Sequence, residues 1–214
     1  MDGDTFILAD RRHVRLIGIN SPERGKNGTP DEPLAQAARR GLEQLVGGQT
    51  VRLVIGRAPQ DRYGRLLAHV WLADGRSAQQ ELLARGLAVV IAIPPNLSRL
   101  DAYQKAERVA RAHRIGVWAH PYYEPIDAKH VQSKHTGFRL VVAQVRNISR
   151  SRNYIYLRLS GALTLMVPRK DWSYFKGRPE DFVGKQVSVR GWVRRHDDGL
   201  QIRVRHPAML KLLN

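Results

Sequence analysis

Asp2-Gly3-Asp4-Thr5 and Arg15-Leu16-Ile17-Gly18-Ile19-Asn20-Ser21-Pro22-Glu23 are the two stretches that decide how the first part of this chain folds. Residues 5–8 and 14–19 combine β-branched and apolar residues, which predicts two short strands. Asp10-Arg11 lies between them and is typical of a tight turn. The sequence therefore opens with a predicted β-hairpin.

The hairpin places polar side chains at neighbouring strand ends. Asp4 lies at the start of the first strand and Asn20 at the end of the second, so we expect them to lie side by side. Two oxygen donors in that position can hold a hard divalent cation, with Arg15 and Glu23 close by. Phosphodiester hydrolysis uses this combination, in which a cation and a guanidinium meet the phosphate charge and a carboxylate handles the attacking water.

Composition limits the classes of protein that the chain can belong to. With 214 residues, 43% of them hydrophobic, it can form one ordinary domain or two small ones with real cores. The sequence has no apolar stretch long enough to predict a membrane span. It also has no cysteines that could form disulfides or zinc-thiolate sites. A strand beginning at residue 5 lacks a neighbour, so we expect an upstream strand, with or without an export signal, outside this chain.

The charge is strongly basic and unevenly distributed. Thirty-six Lys and Arg residues against 19 Asp and Glu give a net charge of +17. Residues 1–118 hold 18 basic and 12 acidic residues, and residues 119–214 hold 18 and 7. This balance indicates a polyanionic partner. The alternative is a basic protein with no specific ligand; a membrane surface is disfavoured because the basic residues lie on strand-like segments.

The remainder of the first part alternates helices and strands. Asp31 is a plausible N-cap for a helix with an apolar stripe of Leu34, Ala38, Leu42 and Leu45, which ends at Gly47-Gly48. Residues 50–55 and 66–72 are predicted strands, joined by a loop that contains Asp61-Arg62-Tyr63-Gly64-Arg65. Two further helices are predicted, from 77 to 85 and from Ser98 to about Trp118.

Residues 119–135 lack periodicity and are interpreted as a linker. Beyond them, residues 138–148, 154–159, 163–167, 187–193 and 200–204 are predicted strands, with a helical piece near Trp172. This pattern favours a small OB-like barrel. Its strands carry many arginines with interleaved aromatic residues: Arg150, Arg152, Arg158, Arg190, Arg194, Arg195, Arg203 and Arg205, with Tyr154, Tyr156 and Trp192. A non-specific nucleic-acid platform is one interpretation, and barrel-core aromatics with a solvated arginine face is the other.

The first 118 residues resemble the staphylococcal nuclease (thermonuclease) family. The matching segments occur in order: Asp2-Gly3-Asp4-Thr5, Val14-Arg15-Leu16 through Pro22-Glu23, Asp61-Arg62-Tyr63-Gly64-Arg65, and Gly86-Leu87-Ala88. The resemblance implies a five-stranded OB barrel with three helices and calcium-dependent hydrolysis of DNA and RNA. We therefore predict a mainly β fold with α, comprising a nuclease-like domain (1–118, without its first strand), a linker (119–135) and an OB-like domain (136–214).

The resemblance also implies a metal site. Asp4 would be a calcium carboxylate, and Ser21 would offer its main-chain carbonyl to the same ion. Asn20 falls where the best-known member of the family has a second metal-binding aspartate, so one negative charge is missing. Calcium affinity follows the charge count of the ligands, so we expect weak binding of calcium, or of manganese or another divalent cation. Asp2 would lie behind the metal ligands.

The same resemblance implies the groups that act on the substrate. Glu23 would sit beside the attacking water as general base or orienter. Arg15 and Arg65 would grip the scissile phosphate, and Arg62 and Tyr63 match positions that contact the adjacent phosphate. The family's nucleotide site has tyrosines after the Gly-Leu-Ala strand, whereas this chain has residues 89–93, Val-Val-Ile-Ala-Ile, so we expect the nucleobase to be held less firmly.

The sequence thus predicts a nuclease with little sequence preference whose C-terminal domain assists nucleic-acid binding. The alternative is a catalytically impaired nucleic-acid-binding module on the same fold, and a third hypothesis is a basic protein-interaction adaptor. We expect DNA or RNA as the partner, no membrane contact and a monomeric chain. The family favours a secreted, periplasmic or membrane-anchored location, but this chain shows no signal peptide.

Overall fold

The structure, a computed structural model, describes residues 2–25, 28–197 and 199–213. By contacts the chain divides into two compact units, residues 1–122 and residues 123–214. None of the helices in the described ranges is long and apolar enough to cross a membrane. We call residues 1–122 the first unit and residues 123–214 the second unit.

Among its described residues, the first unit has six strands: β1 (Thr5–Ile7), β2 (His13–Leu16), β3 (Ile19–Asn20), β4 (Arg52–Gln60), β5 (Leu66–Trp71) and β6 (Val89–Val90). Four of them form a sheet in the order β1-β2-β5-β4, in which β2 and β5 are parallel and the other pairs antiparallel. β3 pairs with β6. The predicted hairpin is present as β1 and β2, with Thr5 opposite Arg15.

Three helices cover this sheet: α1 (Ala35–Val46), α2 (Ala78–Ala84) and α3 (Leu100–Ala112). Their apolar faces meet β2 and β5 in one core, built from Val14, Leu16, Ile19, Leu42, Leu82 and Tyr103 among others. The predicted N-cap of α1 is wrong. The cap position is Leu34, at φ 69°, while Asp31 accepts hydrogen bonds from the Gly25 N–H and the Gln36 amide.

In the part of the second unit that the structure describes there are seven strands: β7 (Ile126–Asp127), β8 (Gly137–Arg150), β9 (Tyr154–Leu159), β10 (Leu163–Pro168), β11 (Gln186–His196), β12 (Gly199–Arg203) and β13 (Leu210–Leu212). Five of them close a barrel in the order β8-β9-β10-β12-β11-β8, because β11 pairs with both β12 and β8. Only β10 and β12 are parallel within this barrel. This is the OB arrangement, so the predicted fold class is confirmed.

Short helical turns fill the gap between β10 and β11, over Arg169–Tyr174 and Pro179–Phe182, which matches the predicted helical insertion. The segment 119–135 is more ordered than its sequence indicates. It contains three-residue 3-10 turns at Ala128–His130 and Ser133–His135, and β7 runs parallel to β8. The domain boundaries predicted from the sequence stay a prediction.

Candidate active site

The hairpin brings Asp4, Arg15 and Asn20 together. Asp4 directly precedes β1, and its main-chain carbonyl accepts the N–H of Leu16 at the end of β2. Arg15 Nη2 lies 3.1 Å from Asp4 Oδ2 and donates to Asn20 Oδ1 at 3.4 Å. The two oxygen-bearing side chains therefore contact the same guanidinium nitrogen. The second hairpin strand ends at Leu16, however, so Asn20 lies at the end of β3 and not, as the sequence predicted, at the end of that strand.

Arg15 is held rigidly by the main chain. Its Nη1 donates to the carbonyls of Leu16 at 2.6 Å and Ile19 at 2.9 Å, so the guanidinium spans the turn between β2 and β3. That turn requires glycine at position 18, where φ is +82° and an added Cβ would lie 2.7 Å from the Tyr103 ring. Among the described residues, the Nε of Arg15 has no acceptor. This nitrogen can therefore donate to a bound anion without breaking a bond in the fold.

Asp4 is buried, with 5% of its surface exposed, and is satisfied on both oxygens. Thr5 Oγ1 donates to Oδ1 at 3.1 Å, and the main-chain N–H of Ser21 donates to Oδ2 at 2.9 Å. A buried carboxylate requires such partners, because an unpaired charge in the interior is costly. The Ser21 hydroxyl, also buried, has no hydrogen-bond partner in the described part of the chain.

Arg65 approaches Asp4 through Thr5. Its Nη1 donates to Thr5 Oγ1 at 3.4 Å, so Arg65, Thr5, Asp4 and Arg15 form one continuous polar network. The hydroxyl of Thr5 accepts from the arginine and donates to the carboxylate, the two roles that a hydroxyl can fill at once. The two predicted phosphate-binding arginines thus lie at opposite ends of this network.

Asp61 fixes the loop that presents Arg65. Its Oδ1 accepts the N–H groups of Tyr63 and Arg65, and its Oδ2 accepts Arg65 Nε at 2.7 Å. Burial of Asp61 opposes its ionisation, but the hydrogen bonds from Arg65 and from these N–H groups outweigh burial and hold the pKa of the carboxyl below its usual value. Asp61 is therefore a charged anchor at neutral pH.

Arg62 and Tyr63 extend from the same loop. Tyr63 is 67% exposed, its hydroxyl accepts a hydrogen bond from Arg62 Nη2 at 2.6 Å, and the Arg62 guanidinium lies 4.7 Å from the ring centre. The Arg65 guanidinium lies 5.5 Å from the same ring centre. Cation–π contacts of this kind hold a solvent-exposed aromatic ring in place.

Glu23 is exposed and follows Ser21 and Pro22 directly. Its main-chain N–H donates to Glu32 Oε2 at 2.9 Å, and its carbonyl accepts the N–H of Glu32. The other carboxylate oxygen of Glu32 accepts the hydroxyl of Tyr122 at 3.1 Å. Glu32 therefore fixes the backbone that presents Glu23. Asp2, which precedes β1, accepts the N–H of Arg24 from the same loop.

The sequence predicted the ends of this network but not its connections. Thr5, which joins Asp4 to Arg65, and Asp61, which aims Arg65, were not predicted to be functional. A signal for Asp61 was present, since an aspartate two residues before an aromatic and a glycine is typical of a side-chain-capped turn. Nothing in the local sequence indicates the bond from Thr5 to Arg65, because the two residues are 60 positions apart.

The oxygen donors at and beside Asp4 are of the kind that binds a hard cation, but together they carry little negative charge. In the described ranges, no group of three or more His, Cys, Asp or Glu residues could hold a metal ion. The predicted set needs no such group, since it consists of the Asp4 carboxylate, the Asn20 amide oxygen and the Ser21 main-chain carbonyl. Carboxylate, amide and carbonyl oxygens are the ligands that calcium accepts. A set with one formal charge indicates weak binding.

Comparisons with known proteins show the family to which the first part of the chain belongs. The sequence profile described as "Staphylococcal nuclease homologue" matches residues 13–120, about half of the chain. The thermonuclease of Staphylococcus intermedius is 36% identical over 121 residues, which is 55% of this chain and 71% of that protein.

Two proteins of Bacillus subtilis (strain 168) are also similar. The SPbeta prophage-derived endonuclease YokF is 32% identical over 56% of this chain and 42% of its own length. Endonuclease YncB is 30% identical over 58% of this chain and 60% of its own length. All these alignments cover just over half of the chain. The predicted resemblance is confirmed: the chain belongs to the staphylococcal nuclease family.

Proposed function

We propose that this chain hydrolyses phosphodiester bonds of DNA or RNA, with little sequence preference and with the help of a calcium-type divalent cation. That it is a nuclease follows from the family and from the thermonuclease and endonucleases that it resembles. The metal dependence, the substrate range and the residue roles are our proposal. The observation that supports them best is the network that joins Arg15, Asp4, Thr5 and Arg65.

The two arginines would neutralise the substrate. A phosphodiester is an anion that repels hydroxide, and its transition state gathers more charge on the non-bridging oxygens. A guanidinium suits this charge because it is planar, bonds two oxygens and stays protonated. Arg15 and Arg65 are already fixed by carbonyls and by Asp61, so little reorganisation is required when charge develops.

Asp4, Asn20 and the Ser21 main-chain carbonyl would hold the cation. A bound divalent cation supplies further charge neutralisation on the phosphate and lowers the pKa of an adjacent water. Thr5 and the Ser21 N–H hold the Asp4 carboxylate in one orientation. Asp2 would support the loop from behind, through its bond to the Arg24 N–H.

Glu23 would orient the attacking water and accept its proton. A carboxylate with a reference pKa of about 4.3 is ionised at neutral pH and can act as general base. Glu32 holds the main chain at Glu23 on both its N–H and its carbonyl, which limits the positions that the side chain can take. By family resemblance the 5′-oxygen leaves, which gives 3′-phosphate products.

Low sequence preference follows from the chemistry of the contacts. Arg15, Arg65 and Arg62 recognise phosphate oxygens, which every nucleotide carries. Tyr63 is the exposed aromatic group of the loop, and its contacts are with arginines. The strand after Gly86 offers Val89 and Val90, both buried, in place of the tyrosines expected from the family. We therefore expect DNA or RNA as substrate, a monomer, and a second unit that retains the bound strand.

A second candidate function is nucleic-acid binding without turnover. The observation that favours it is Asn20, which leaves Asp4 as the one charged ligand of the proposed cation, already paired with Arg15. If the cation does not bind, the site can still hold a phosphate. Both functions predict binding, and only the first predicts cleavage.

Glu23→Gln distinguishes the two functions. The purified chain is incubated with single-stranded DNA in calcium or manganese from zero to several millimolar, with Glu43→Gln, at an exposed position of α1, as the matched control. We expect the parent and Glu43→Gln to cleave. Glu23→Gln should lose about 10²–10⁴ in rate and keep its DNA affinity. A folded parent that leaves DNA intact at every metal concentration would show that the enzyme proposal is wrong.

A further inference from the structure

The arginines of the second unit differ in their surroundings: some are paired with carboxylates or buried in the unit, and others are exposed. Arg205 Nε donates to the buried Asp171 at 2.6 Å, and Arg150 pairs with Glu180. Arg190 is only 9% exposed. These three serve the barrel itself. Among the arginines that the sequence predicted as part of a nucleic-acid platform, the exposed ones are Arg152, Arg158, Arg194, Arg195 and Arg203.

Strand β9 directs its aromatic residues outward. Ile155, Leu157 and Leu159 are buried in the barrel, and the residues between them point to the opposite side because strand side chains alternate. Tyr154 and Tyr156 are accordingly half-buried on the outer surface. The interpretation that these tyrosines belong to the barrel core is therefore wrong.

Neighbouring strands complete the outer surface around these tyrosines. On β10, Met166 lies opposite Tyr156 and Thr164 opposite Arg158. On β12, Arg203 lies beside Met166 and Gln201 beside Thr164, and Arg194 of β11 faces Gln201. We call this surface the β9–β10–β12 face; it consists of Tyr154, Tyr156, Arg158, Thr164, Met166, Arg194, Gln201 and Arg203.

The β9–β10–β12 face combines aromatic rings with positive charge. The rings of Tyr154 and Tyr156 lie 6.2 Å apart at 45°, and the Arg203 guanidinium lies 5.9 Å from the Tyr154 ring centre. In the described part of the chain, no carboxylate belongs to this face. Uncompensated guanidiniums beside half-exposed rings are complementary to a polymer of phosphates and flat bases.

The position of the face in the barrel supports the same ligand. It is centred on the second and third strands of the OB barrel, which is where such barrels bind oligonucleotides. Arg152 lies in the loop between β8 and β9, and Arg194 and Arg195 precede the turn between β11 and β12. The basic residues therefore flank the tyrosines at both ends of the strands.

We propose that the β9–β10–β12 face binds single-stranded nucleic acid, with bases stacked on Tyr154 and Tyr156 and phosphates at Arg158, Arg194 and Arg203. This rests on the proposed function in that the bound strand is the substrate of the nuclease. Stacking requires the flat surface of a base, which a duplex hides within its own stack. A duplex is therefore held by charge alone and binds more weakly.

The tyrosines are tested by fluorescence anisotropy on the full chain, with a labelled oligothymidylate of about 15 nucleotides in EDTA, which prevents metal-dependent cleavage. We expect Tyr154→Ala/Tyr156→Ala to weaken binding about 10- to 100-fold. Tyr154→Phe/Tyr156→Phe keeps the rings and should bind like the parent. The matched control is Tyr174→Ala, an exposed tyrosine of the same unit outside the face, which should also leave binding unchanged.

The arginines are tested by the salt dependence of the same binding. Arg158→Gln/Arg203→Gln should reduce the slope of log affinity against log salt by about 1.4, since each of the two phosphate contacts to a single strand contributes about 0.7. Lys185→Gln/Lys211→Gln removes the same charge from exposed positions outside the face. This control should change the slope little.

Two results would overturn the proposal: equal affinity of the folded Tyr154→Ala/Tyr156→Ala variant and the parent, or equal affinity of the parent for the strand and its duplex. Circular dichroism and thermal melting establish that each variant is folded. A nitrophenyl phosphodiester of one nucleotide reports on the active site independently. Tyrosine-dependent binding by a parent that fails to cleave this substrate would count against the proposed function alone.

Discussion

The two units carry equal numbers of basic residues but use them differently. Residues 1–122 and 123–214 each hold 18 Lys and Arg, while their acidic residues number 12 and 7. In the first unit, Arg15 and Arg65 are fixed by carbonyls and carboxylates. On the β9–β10–β12 face, Arg158 and Arg203 have no carboxylate partner among the described residues. In the functions proposed above, the fixed Arg15 and Arg65 serve the reaction, whereas Arg158 and Arg203 serve retention of a polymer.

The strongest test of this contrast is Arg65→Lys. Lysine keeps the charge but loses the planar fork that bonds Asp61 and that would, in the proposed function, also bond a phosphate. We expect the cleavage rate to fall by about 10²–10³, the cost of removing one preorganised donor. Steady-state kinetics on the nucleotide nitrophenyl ester measures it.

Arg76→Lys is the matched control for Arg65→Lys. Arg76 bonds Asp74 through Nε and Nη2, each at 2.7 Å, as Arg65 bonds Asp61. It lies in the turn before α2, away from the network of Asp4. The control should cleave like the parent. Equal losses in both variants would mean that an arginine–aspartate pair matters only for the fold.

The next test adds charge to the first unit. Asn20→Asp gives the proposed cation a second carboxylate, and calcium affinity rises with ligand charge. We expect the calcium concentration for half-maximal cleavage to fall about tenfold. Isothermal titration calorimetry with calcium gives an independent readout. Unchanged affinity would remove Asn20 from the ligand set.

A smaller effect is expected at Tyr63. Tyr63→Ala removes the ring that Arg62 and Arg65 flank, so both guanidiniums lose a positioning contact worth about 0.5–1 kcal/mol at an exposed site. We expect KM for DNA to rise about two- to fivefold with little change in kcat. The comparison variant is Tyr174→Ala in the second unit. A fall in kcat without a change in KM would contradict a role in substrate binding.

The last test concerns acid stability and not the reaction. Burial, together with the nearby charge of Arg99, lowers the pKa of His69 from 6.5 to about 4. Between these values the unfolded chain binds more protons than the folded one, so the first unit loses stability as pH falls from 6.5 to 4. Hydrogen exchange at pH 7 and pH 4.5 measures each unit separately. His69→Gln should flatten this dependence in the first unit and leave the second unit unchanged.

Much of both units could be predicted from local patterns. The hairpin, α1 and the five barrel strands follow from apolar periodicity, and the hairpin alone predicts that Asp4 and Asn20 meet. The errors have tertiary causes. Leu34 takes a left-handed conformation that no local rule assigns to leucine, which displaced the predicted cap at Asp31. β4 continues to Gln60 through an irregularity after Ile55, where the sequence predicted its end.

The parallel pairing of β10 with β12 determines when the β9–β10–β12 face can form during translation. Leu163 pairs with Leu200 and Met166 with Arg203, so this face is assembled only after the residues up to Arg203 have left the ribosome. All strands of the catalytic half emerge some hundred residues earlier, and domains generally fold in the order of their translation. A nascent chain therefore completes the proposed hydrolytic site before the proposed strand-binding face.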